Sequence, residues 1–172
     1  IIKSLLVIFI SSIILAISAK IKIPFYPVPM TMQTFVVLFL GVSFGYKIAL
    51  GAVILYLIEG ILGLPVFSNS PERGVGLAYF TGPTMGYLIG FLSASFLASL
   101  IKLEDNYFII FFKLLFSVST IYILGILWLG NIIGWDKPIL ELGVMPFLLA
   151  EIFKITLLTV LTKKIFKLRK II

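Results

Sequence analysis

Cysteine and histidine are both missing from the chain. Without cysteine there is no disulfide framework and no thiolate metal site. Without histidine the commonest metal ligand and the usual near-neutral general base are absent as well. No G-x-x-x-x-G-K-[ST] stretch occurs, so the chain has no P-loop with which to bind and split a nucleotide. Charge is scarce too: 12% of residues are charged, against about a quarter in an ordinary soluble domain. The net charge of +7 does not point to nucleic acid, because the basic residues gather at the ends of apolar runs and in the C-terminal tail. No apolar run holds the paired acids or nucleophile–base sets that hydrolytic or redox chemistry needs. The expectation is therefore not an enzyme, with no metal and no cofactor.

What is present is apolar. Of the 172 residues 61% are hydrophobic, and the mean hydropathy is +1.22. Runs of about 20 apolar residues read as membrane spans, so the chain is expected to be an all-α integral membrane protein, a single transmembrane domain over 1–172 with six helices. Span one runs between Lys3 and Lys20 and reads as a span, not a cleaved leader. Within it Ser12 and Ala16 form a small-xxx-small pair, and Ala19 adds a further small position, which lets another helix approach closely. Pro24, Pro27 and Pro29 then force extended backbone, and Pro29 suits the first position of the next helix. Span two is short in apolar residues, Phe35 to Phe44, and its entrance carries Thr31, Gln33 and Thr34; polar backbone and side chains at that depth are tolerated where they line a cavity. Span three is Ile48 to Leu62. The long stretch from Gly63 to Gly82 follows, with Phe67, Tyr79 and Phe80 among its turn residues. Span four, from Pro83 to about Leu100, carries Gly82, Gly86 and Gly90 four apart as a close-contact stripe. Spans five and six are Tyr107 to Leu129 and Val144 to Thr162.

With six spans both termini share a side. That side receives nine Lys and Arg residues and the other receives four, so both termini are expected in the cytoplasm. The proline-rich connection, the 63–82 loop and the start of span six then lie outside.

Glu151 and Lys154 interrupt the last span. A charge at mid-span costs about 2.5–3.5 kcal/mol on insertion scales, and ionisable residues there mark functional sites. Three residues apart, they share a helix face. Lys154 lies roughly 15 Å from the start of the run and 12 Å from its end, too deep for easy snorkelling. Two readings stand: a self-neutralising ion pair between helices, or an ammonium that meets an anionic ligand group while Glu151 orients it or accepts a ligand N–H. Arg73 has two readings as well, a solvated pair with Glu72 or a ligand contact. Phe25, Phe67 and Tyr79 are either a lid over a pocket or interfacial aromatics. Glu59, near a span end, reads as a partly solvated carboxylate, and the basic tail as an anchor to anionic lipid.

Three ordered motifs carry a family resemblance: Pro27-Val28-Pro29-Met30-Thr31-Met32-Gln33-Thr34, Gly63-Leu64-Pro65-Val66-Phe67, and Gly82-Pro83-Thr84-Met85-Gly86-Tyr87-Leu88-Ile89-Gly90-Phe91. The chain resembles the BioY family, the biotin-specific S components of energy-coupling factor (ECF) transporters, over nearly its whole length. The resemblance implies the six-helix S-component fold in the membrane of a bacterial cell. It implies capture of biotin from outside, and partners comprising a transmembrane coupling protein and two cytoplasmic ATPases. Glu151 and Lys154 fall at the family's acidic and lysine positions of the last helix, although the family usually has Gly-Asp where this chain has Ala150-Glu151. Helix one of S components docks on the coupling protein through small residues, here Ser12, Ala16 and Ala19. Biotin offers a carboxylate, an apolar body and a ureido group. Lys154, Glu151, Asn69, Tyr79, Phe67, Gln33 and Arg73 are the expected binding residues. The rival reading is a stand-alone carrier for a small carboxylate, driven by protons through Glu151.

Overall fold

The computed structural model describes residues 2–171. Helix α1, Ile2–Lys20, leads into a two-residue antiparallel ladder of β1, Lys22–Ile23, and β2, Met30–Thr31, with Lys22 opposite Thr31. The loop between them holds the three prolines, whose fixed φ suits extended chain and not helix. The ladder draws Met30 and Thr31 into extended pairing, so α2 spans Gln33–Phe44 and begins four residues after Pro29, not at it. Gly45, at φ 76°, turns the chain into α3, Tyr46–Ile61; the left-handed conformation there favours glycine. The 62–84 segment folds back over the bundle and includes the short α4, Leu77–Phe80. Helix α5, Met85–Ser99, and the long α6, Tyr107–Ile133, follow, the latter started by Asn106, whose Oδ1 accepts the Ile109 N–H at 2.8 Å. Short α7, Ile139–Gly143, and a 3-10 turn precede α8, Leu148–Ile165, and a 3-10 turn over Phe166–Ile171 ends the described chain.

Three stretches are long and apolar enough to cross a membrane: Ile2–Lys20, Tyr107–Ile133 and the run Ile139–Lys170. Helices α2 and α5 are apolar but shorter. At 1.5 Å per residue α2 is about 18 Å long, well below the roughly 30 Å of a hydrocarbon core. Its N-terminal end is completed by the β1–β2 hairpin.

The core runs along the bundle axis through Leu15, Leu38, Tyr56, Ile121 and Leu158, all fully buried. Helices α5 and α6 touch backbone to backbone. A methyl group on Gly86 would collide with Leu124 O, and one on Gly90 with Ile121 Cα. At the opposite end from the hairpin, Arg169 fastens two helix ends. Its guanidinium donates to Val42 O at 2.8 Å, Gly41 O at 3.2 Å and Ser99 O at 2.8 Å, carbonyls at the C-termini of α2 and α5. Helix-end carbonyls lack intrahelical partners, which makes them acceptors for such a cation.

Candidate functional site

Glu151 and Lys154 lie one turn apart on α8, both 5% exposed. The lysine ammonium has three N–H donors, and all three are used inside the protein: on Thr31 O at 2.7 Å, Thr34 Oγ1 at 2.9 Å and Glu151 Oε1 at 2.8 Å. Thr34 Oγ1 in turn donates to Glu151 Oε1 at 2.8 Å. The polar entrance of α2 thus exists to receive the charged pair of α8. The other carboxylate oxygen, Glu151 Oε2, is buried and makes no hydrogen bond of normal length, with the Tyr122 hydroxyl the neighbouring side chain that approaches this carboxylate. An orphan acceptor of this kind is costly to leave unmade.

Glu151 lines a narrow cavity between the hairpin, α2, α5, α6 and the start of α8, with about 50 Å³ of free volume. Small-molecule sites span about 300–1,000 Å³, so the cavity is closed down in this structure and must widen to admit a guest of that class. Its wall is mostly apolar and aromatic, with Tyr87 and Phe91 from α5, Ile121 and Tyr122 from α6, and Phe147 ahead of α8. Its polar positions are Thr31, Gln33, Thr34, Ser68, Tyr79 and Thr84. The chemistry of this lining suits a largely apolar guest that presents an N–H or O–H to Glu151.

The expected site residues divide. Gln33, Tyr79 and Glu151 line the cavity. Gln33 is held by its own amide, which donates to Tyr56 Oη at 2.8 Å. Lys154 borders a second groove with Met30, Thr31 and Phe153, so the ion pair stands between the two spaces. Phe67 is fully buried behind the wall. It stacks on Tyr79 at 4.6 Å and meets Tyr56 and Phe80 edge-on at 5.4 Å, and it fits only because Gly60 has no side chain beneath it. It is a pillar under the Tyr79 ring. Asn69 and Arg73 line a small side pocket that shares Tyr79 and Thr84 with the main cavity. Arg73 donates to Pro27 O at 2.9 Å and lies over the Tyr26 ring at 5.3 Å, and it makes no ion pair with Glu72. From the other direction Lys20 donates to Phe67 O at 2.7 Å and Ser70 O at 2.6 Å, and Lys22 to Ser68 O and to Asn69 Oδ1 at 3.1 Å. The hairpin segment and the 62–84 segment are laced together beside the cavity by cations.

Of the expected docking residues on α1, Ser12 and Ala19 are buried and Ala16 is half-buried against the core. The small face of α1 is turned inward, and Leu5, Phe9, Ile13 and Ile17 form its exposed line. Thr34, Thr84, Tyr87, Phe91, Tyr122 and Phe147 were not among the expected site residues. Thr34 could have been found from its place in the polar entrance to span two; the others carry no local signal that separates them from ordinary core.

The BioY family model matches residues 2–171. The chain belongs to the BioY family. Relatives of this family chain include the probable biotin transporter BioY of Pyrococcus horikoshii, 33% identical over 87% of this chain and 88% of that one. The biotin transporter BioY of Thermotoga maritima is 30% identical over 90% of both. Among solved structures, the S-component for biotin from an ECF-type ABC transporter superposes with a TM-score of 0.77 at 26% identity, covering 96% of this chain and 92% of that one.

Proposed function

We propose that this chain is a biotin-binding S component, which captures biotin from outside and delivers it together with an ATP-driven ECF module. Biotin is then the transported substrate and not a cofactor. The observation that carries the reading is Glu151 Oε2, an unpartnered buried acceptor in an aromatic cavity, in a chain whose family relatives are named as biotin transporters. A ureido N–H completes Glu151 Oε2 with a charge-assisted bond, and the aromatic wall takes the apolar ring system. The saturated ammonium favours a positioning role for Lys154: it holds the Glu151 carboxylate in place. The ligand carboxylate then extends outward toward the side pocket of Asn69 and Arg73, the cation whose pocket adjoins the cavity.

The same proposal takes α1, α2, α3, α5, α6 and α8 as six membrane-crossing helices with both termini cytoplasmic. The excess of Lys and Arg on the side of the termini supports that orientation. The partners are a transmembrane coupling protein and two cytoplasmic ATPases, in the plasma membrane of a bacterial cell. Calorimetric titration of the purified chain with biotin tests the binding role: saturable one-to-one heat is expected, and none at all would remove the reading's foundation.

A further inference from the structure

Three tyrosines line the cavity, Tyr79, Tyr87 and Tyr122, and the first two spend their hydroxyls inside the protein. Tyr87 Oη donates to Gly143 O at 2.9 Å. Tyr79 Oη accepts the Asn69 N–H at 3.3 Å and lies at the same distance from Ser68 Oγ. Tyr122 differs. Among the described residues no hydrogen bond of normal length ends at its hydroxyl, which instead approaches Glu151. Helix α6 sets the ring between two others, edge-on to Tyr87 at 6.0 Å and tilted against Phe147 at 6.1 Å. The ring is thus packed on both sides, while its polar tip is left at the cavity, where a phenol calls for a partner.

Glu151 Oε1 already receives Lys154 and Thr34, so Oε2 is the open acceptor. An open acceptor and an open donor therefore meet at one end of the narrowed cavity. A guest that widens the cavity there comes between them. It leaves neither group short only if it brings one of each kind, an N–H for Oε2 and an oxygen acceptor for the Tyr122 O–H. A cyclic urea presents that pair on a single edge, because the ring holds each N–H on the same side as the C=O. A simple amine brings only the donor and a ketone only the acceptor, and each leaves a buried polar group unsatisfied.

We infer that Tyr122 is a specificity-determining residue whose hydroxyl donates to the carbonyl oxygen of a guest whose adjacent N–H occupies Glu151 Oε2. The inference deepens the biotin-binding reading and rests on it, since it gives the ureido carbonyl its own partner. Glu151 and Tyr122 then read the two halves of one N–H/C=O unit. A site built around a buried donor discriminates against an analogue whose acceptor is poor.

The test is titration with biotin and with 2-thiobiotin, in which sulfur, a weaker acceptor, replaces the ureido oxygen and both N–H groups remain. The parent, Tyr122→Phe and Tyr87→Phe are compared, with thermal unfolding recorded for each. The parent is expected to favour biotin at least tenfold. Tyr122→Phe keeps the ring and removes only the hydroxyl. It is expected to weaken biotin about tenfold and 2-thiobiotin less than threefold, so the preference shrinks. Tyr87→Phe strands Gly143 O and is expected to unfold earlier while keeping the parent's preference. Equal losses for the two ligands in folded Tyr122→Phe, or no loss for either, would overturn the assignment. A parent that does not distinguish the two ligands would overturn it without any variant, and saturable biotin binding would still stand. If the parent binds neither ligand, the biotin reading falls and the role of Tyr122 falls with it.

Discussion

Lys154 Nζ stands 2.8 Å from Glu151 Oε1, while Oε2 of the same carboxylate is buried without a partner. The pair is thus asymmetric. One oxygen is fully engaged within the protein and the other makes no hydrogen bond of normal length. Burying two charges is repaid only when their geometry is good and the remaining donors are satisfied; Thr31 O and Thr34 Oγ1 satisfy the ammonium, and the carboxylate is left one bond short on the side where a ligand would sit.

Removing the ammonium should disable the carboxylate. Lys154→Met is expected to weaken biotin binding by more than tenfold, about 1.4 kcal/mol, because it removes the cation that orients the Glu151 carboxylate. The loss should be equal for biotin and biotin amide, measured by titration of each. A loss confined to biotin would mean that Lys154 meets the ligand carboxylate directly.

Arg73 should show the opposite pattern. Arg73→Gln is expected to weaken biotin by about tenfold and biotin amide by less than twofold, since only the former presents an anion to the side pocket. Equal affinities of the variant and the parent for biotin would confine Arg73 to its contacts with Pro27 and Tyr26.

Thr34 links the two charges without being one. Thr34→Val keeps the volume, deprives Lys154 of an acceptor and takes a donor from Glu151. Leaving buried polar groups unsatisfied costs about 1–3 kcal/mol each, so both thermal stability in detergent and biotin affinity should fall. Affinity at the parent level would show that the pair holds its geometry without the hydroxyl.

What was legible in the sequence follows from this chemistry. Glu151 and Lys154 stood out because two charges in an apolar run have few physical excuses, and their three-residue spacing fixed a common face. The apolar, all-helical character of the chain and the close-contact role of Gly86 and Gly90 were readable for similar reasons. Thr34, Tyr122 and Phe147 meet Glu151 only through the packing of α2, α6 and α8, and hydroxyls and aromatics are too common in spans to announce that. Phe67 reads in the chain as a loop aromatic near a site. Its place beneath Tyr79 depends on Gly60 of α3, which no local pattern reveals. The start of α2 differed because Pro29 could open a helix or precede a strand, and the pairing of Met30 and Thr31 with β1 decides between them.

Helix contact offers a prediction independent of any ligand. Gly90→Val inserts a branched side chain where Ile121 backbone already lies, and overpacking of this sort costs about 1–3 kcal/mol. The unfolding temperature in detergent should fall; an unchanged value would mean that α5 and α6 can separate freely at that point.

Arg169 should matter for stability and not for binding. Arg169→Gln strands the Val42 and Ser99 carbonyls, at about 1–3 kcal/mol for each buried group, and it lies at the end of the bundle remote from the cavity. Thermal unfolding is expected earlier, with biotin affinity within twofold; a tenfold loss of affinity would show that the far end shapes the cavity.

The most direct test is biotin titration of the purified parent chain beside Glu151→Gln, with thermal unfolding recorded for both. The amide keeps the size of the carboxylate but removes its charge, so saturable binding by the parent and at least a hundredfold weaker binding by the folded variant are predicted. Equal affinities in two folded proteins would contradict the assignment of Glu151 Oε2 as the acceptor around which the cavity is built.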